Sequence, residues 1–94
     1  MPIEIILVQT SLDKAILVFD GRILEIFHTL WGAKTARYHV AHISAIQIVT
    51  DKKGAHTLSL KTKSDGEIIS VEASALLDVQ QLVAAVQQAM TAYP

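Results

Sequence analysis

The chain places a single helical stripe after a run of segments that read as strands, and that arrangement leaves few folds open. Residues 74–93 read SALLDVQQLVAAVQQAMTAY. Leu76, Val79, Val83, Val86, Met90 and Tyr93 recur at alternating spacings of three and four, which puts one apolar stripe along one side of an α-helix. Ser74 is placed to cap its start, as is Asp78, with Gln81 three residues on as a capping-box partner. Upstream, short β-branched and apolar segments are separated by turn residues. A sheet must bury one face, and this helix is the large apolar stripe available to cover it.

Seven segments carry the strand pattern: residues 3–9, 14–19, 22–28, 36–41, 43–50, 56–63 and 67–73. Asp20-Gly21 between two apolar runs is a strong hairpin signal, in which both turn positions are expected at positive φ. Asp51-Lys52-Lys53-Gly54 suits a bulged hairpin loop with Gly54 in the left-handed position. Residues 56–63 alternate, with Leu58 and Leu60 facing one way and Thr57, Ser59, Lys61 and Lys63 the other. Residues 67–73 do the same, with Ile69 and Val71 inward and Ser70 and Glu72 outward. Hairpin-sized turns predict an antiparallel sheet in next-neighbour order, strongly twisted and partly closed. The expected fold is mainly β (α+β): a seven-stranded antiparallel, partly open barrel or sandwich capped by one C-terminal α-helix, in a single domain over 1–94.

Composition removes several function classes. The 94 residues hold eight Lys and Arg against nine Asp and Glu, a formal charge of −1. That balance exerts no general pull toward nucleic acid or an anionic membrane. There is no cysteine, so neither a disulfide framework nor a thiolate site is expected. The N-terminal segment lacks a basic start and has Glu4 within its apolar run, unlike a signal peptide. No apolar run reaches the roughly 18 residues of a spanning helix. A cytoplasmic location is the expectation.

The seven strands, the hairpin AILVFDGRILEIF, the strand pair RYHVAHISAIQIV with its Ile-x-x-Ile step, the two further strands HTLSLKTK and EIISVEA and the closing helix together resemble the pleckstrin-homology-like fold, and most of all its small bacterial domains. The resemblance implies a scaffold for proteins, peptides or lipid headgroups without catalysis of its own. Lipid-binding members carry a basic motif across the first hairpin and a Trp in the last helix. Here the first loop, TSLDK, has only Lys14 beside Asp13, and the helix has no Trp, which points away from phosphoinositides.

Four groups of residues merit a place in the candidate site. Trp31, with Leu30 before it and Lys34 and Arg37 downstream, forms an apolar anchor ringed by cations, suited to a partner or to a membrane interface; the competing reading has Trp31 folding back over an open end of the barrel. His28, His39, His42 and His56 are poor metal ligands by pattern: His39 and His42 on one strand would point to opposite faces, and a cross-strand Glu25–His39 pair is the expected use. Lys52, Lys53, Lys61 and Lys63 lie at opposite ends of one hairpin and read as solvated edge protection. The helix bears no charge from Val79 to Pro94, and its outer face is Gln80, Gln81, Ala84, Gln87, Gln88 and Thr91. A Gln and Ala face sits against another protein without the desolvation cost of a charge, and Gln80, Gln81, Ala84, Gln87 and Gln88 are the expected homo-oligomer contacts. No nucleophile elbow, phosphate loop or paired carboxylates supports an enzyme; no cofactor, metal or nucleic-acid partner is expected. An interaction module binding a protein or peptide is the leading reading, a peripheral membrane binder the alternative.

Overall fold

A computed structural model describes residues 3–29 and 35–92. Among them, the strands are β1 (Ile3–Val8), β2 (Lys14–Phe19), β3 (Ile23–His28), β4 (Ala36–His39), β5 (Ile43–Thr50), β6 (His56–Thr62) and β7 (Gly66–Val71), and the helix is α1 (Leu76–Thr91). All seven expected strands form, and all pair antiparallel with their chain neighbours within two sheets, β1-β2-β3-β4 and β5-β6-β7. The sheets are not joined into a closed barrel; they face each other in a sandwich-like arrangement.

The next-neighbour order breaks once, between β4 and β5. The expected strand over 36–41 ends at His39, and Val40–His42 form a 3₁₀ turn. His39 Nδ1 accepts from the backbone N–H of Ala41 at 3.0 Å, a local bond that competes with continued extension. Val40 is buried here, so the turn is anchored into the core while the chain changes sheet.

The core takes one side of every strand. Ile5, Leu7, Leu17, Leu24, Ile26, Ile46, Leu58, Leu60, Ile69 and Val71 are buried, at every second position as the pleat requires. The helix adds Val79, Leu82, Val83 and Val86 and packs against β5, β1 and the 3₁₀ turn. Leu76 and Met90 of the expected stripe are half-buried, and Tyr93 lies outside the described residues.

Three local expectations are corrected. The helix is entered through a 3₁₀ turn over Ala73–Ala75, and neither Ser74 nor Asp78 caps it: its N-cap position is Ala75, without a side-chain bond. Asp78 sits inside the first turn, where its charge favours the positive end of the helix dipole. In the β2–β3 turn only Gly21 has positive φ, at 104°, a conformation open to glycine without a Cβ clash. Asp20 instead holds the turn from its flank, its Oδ1 accepting from Arg22 N at 2.9 Å and Ile23 N at 2.8 Å. Gly54 does take the left-handed position, at φ 84°.

Candidate functional site

β5 is an edge strand of its sheet, with β6 on one side and no strand on the other among the described residues. In an antiparallel strand, the N–H and C=O of a residue point to one side, and successive residues alternate. The Asp51 N–H donates to Ala55 O at the β6 side, so Asp51, Val49 and Gln47 face β6. Ile46, Ile48 and Thr50 therefore turn their backbone groups to the open side. One hydrogen bond among the described residues reaches that edge: Gln87 Nε2 on α1 donates to Ile46 O at 2.9 Å. The side-chain amide stands where the N–H of an added strand would stand.

Edge and helix enclose a shallow groove of about 320 Å³, lined by Gln47, Ile48, Thr50, Leu76, Gln80, Val83, Ala84 and Gln87. Its wall is α1, and none of the described lining residues is charged. Gln80, Gln81, Ala84, Gln87 and Gln88 are all exposed, as the helical periodicity requires. Gln80, Ala84 and Gln87 line the groove; Gln81 and Gln88 do not. The sequence pattern identified the face but not the internal use of Gln87, since a side chain reaching 41 positions back along the chain has no local signature.

The other open edge of this sheet is covered by a second glutamine. Gln9, just beyond β1, donates from Nε2 to Ser70 O and accepts at Oε1 from Ser70 N, both at 2.9 Å. Its amide reproduces a full rung of a strand ladder. Beside it the Val8 N–H donates to Glu72 Oε1 at 3.0 Å. These bonds staple the end of β1 to the end of β7.

The remaining candidates are dispersed. Leu30, Trp31 and Lys34 lie outside the described residues. Arg37 is exposed on β4, where its Nε meets Glu25 Oε2 at 3.3 Å. That ion pair displaces the expected Glu25–His39 pair: the register sets Glu25 opposite Arg37 and His39 opposite Ile23. A seven-residue loop does not fix register as a tight turn does, so the offset of two was not readable. His28 Nδ1 lies 3.0 Å from Asp13 Oδ2, half-buried, and His56 Nδ1 lies 2.8 Å from Thr50 Oγ1. His39 and His42 do not take opposite faces of one strand, because the 3₁₀ turn intervenes; their ring centroids are 6.1 Å apart. No three metal-ligating side chains converge among the described residues. No helix among them is long and apolar enough to cross a membrane. No family model, curated protein or solved structure matches the chain.

Proposed function

We propose that the chain is a non-catalytic, cytoplasmic interaction module of pleckstrin-homology-like kind, that it accepts an extended strand of a protein or peptide partner along β5, and that a second copy of itself is one such partner. The observation that carries the reading is the β5 edge: three outward-facing residues, Ile46, Ile48 and Thr50, beside an uncharged helix face, with one amide of that face bonded to the edge. Strand addition supplies main-chain hydrogen bonds, and the flanking groove supplies side-chain contact.

The edge is self-complementary. Two copies related by a two-fold axis at Ile48 set Ile46 of each against Thr50 of the other, the isologous form of a symmetric dimer. The absence of charge among the described lining residues lets two such grooves meet without like-charge repulsion. Pairing requires Gln87 to leave Ile46 O, which an incoming N–H replaces in kind.

Amide hydrogen exchange tests this. The N–H groups of Ile48 and Thr50 are expected to exchange more slowly as protein concentration rises through the micromolar range, and to lose that dependence in Ala84→Arg, which places a charge in the groove from an exposed position. Concentration-independent exchange at both amides, in the unaltered protein, overturns the self-pairing.

A further inference from the structure

The break between β4 and β5 leaves a cavity that the strand-edge reading does not use. It measures about 540 Å³, within the roughly 300–1,000 Å³ range of small-molecule sites. Three cationic or ionisable side chains reach its wall from three separate elements: Arg37 on β4, His42 in the 3₁₀ turn and Lys63 just after β6. Apolar lining comes from Ala41, and from Tyr38 and Ile43, which are nearly buried.

The described lining holds two full cations, Arg37 and Lys63, against one carboxylate. Asp65 is the one carboxylate among the described lining residues, and its Oδ1 is engaged by the Gly66 N–H at 2.9 Å in the β6–β7 turn. Glu25 takes the Nε of Arg37 on the outer face of the first sheet. Glu67 is held by the Tyr38 hydroxyl at 2.9 Å. Lys63 has no carboxylate within 4 Å among the described residues.

We propose that this corner cavity binds a small organic anion, its acid group among Lys63, His42 and Arg37 and a ring-sized apolar body against Ala41, Ile43 and Tyr38. A cavity with an apolar floor and a cationic rim selects for both parts at once: a bare inorganic anion leaves the floor uncovered, and a neutral ring leaves Lys63 without an ion-pair partner among the described residues.

The test is a titration of the full chain followed by amide chemical shifts, at low ionic strength, with benzoate, phenyl phosphate, benzyl alcohol and inorganic phosphate as probes. Benzoate or phenyl phosphate is expected to give saturable shifts at residues 41–44 and 62–65. Which of the two binds more tightly separates a carboxylate from a phosphate ligand. Lys63→Gln is expected to weaken that binding roughly tenfold, the scale of one lost charge-assisted hydrogen bond, while Lys52→Gln at the far end of the hairpin leaves it unchanged. Absence of saturation, equal binding of benzyl alcohol, or equal effects of the two lysine variants overturns the proposal.

Discussion

At the scale of single residues, one contact that ties the two sheets together is Tyr38 to Glu67. The phenol is nearly buried on β4 and donates to Glu67 Oε1 on β7 at 2.9 Å. Burial first, and then the neighbouring carboxylate, push its pKa up from 10.0 to about 12. The sign follows from linkage. The folded pKa lies above the unfolded one, so the contribution is complete below pH 10 and is lost as pH rises toward 12, where the unfolded phenol ionises first. Tyr38→Phe is expected to cost about 1 kcal/mol at neutral pH and to flatten the alkaline fall in stability, measured by urea unfolding from pH 8 to 11. An alkaline limb identical to that of the unaltered protein contradicts this assignment. Tyr38 has no sequence signature for such a role: its partner is 29 positions away, and the moderate apolar pattern of residues 36–41 gives no hint that the strand is cut at His39.

At the scale of elements, the strands were the most legible part of the chain and their edges the least. Alternation placed Leu58, Leu60, Ile69 and Val71 inward, because a period of two leaves one choice of face once the core side is known. The helix was legible as a stripe but too narrow a one. Leu82 is fully buried beside Val83, since a helix seated between two sheets is covered on more than one side. Leu82→Ala is expected to destabilise the fold by roughly 2–5 kcal/mol, a loss visible in the denaturation midpoint. The use of glutamine amides as substitutes for backbone rungs lay beyond any pattern of hydrophobicity. Gln9→Ala removes both bonds to Ser70 and uncovers the β7 edge beside Ile68, which is 79% exposed. Two neutral hydrogen bonds are worth about 1–2 kcal/mol together, which for a domain of this size lowers the melting temperature by several degrees. An unpaired edge next to an exposed isoleucine also recruits further strands, so light scattering on heating is expected to begin earlier in this variant. A melting point and scattering onset equal to those of the unaltered chain contradict the capping role.

At the scale of the whole molecule, two half-sheets joined at one corner explain why the surface offers more than one opening. The β1–β7 seam is stapled by Gln9, Val8 and Glu72. The β4–β5 corner is left as a cavity, and the outer edge of β5 is covered by one amide of α1. The architecture of seven antiparallel strands and a final helix was readable from strand count, turns and helical spacing; the open edge was not, because it depends on where the sheet divides. The mass of the protein in solution tests the proposed strand pairing most directly. Sedimentation equilibrium at micromolar concentration is expected to report a species of twice 10.3 kDa that reverts to 10.3 kDa in Ala84→Arg. A mass of 10.3 kDa for the unaltered chain throughout that range contradicts it.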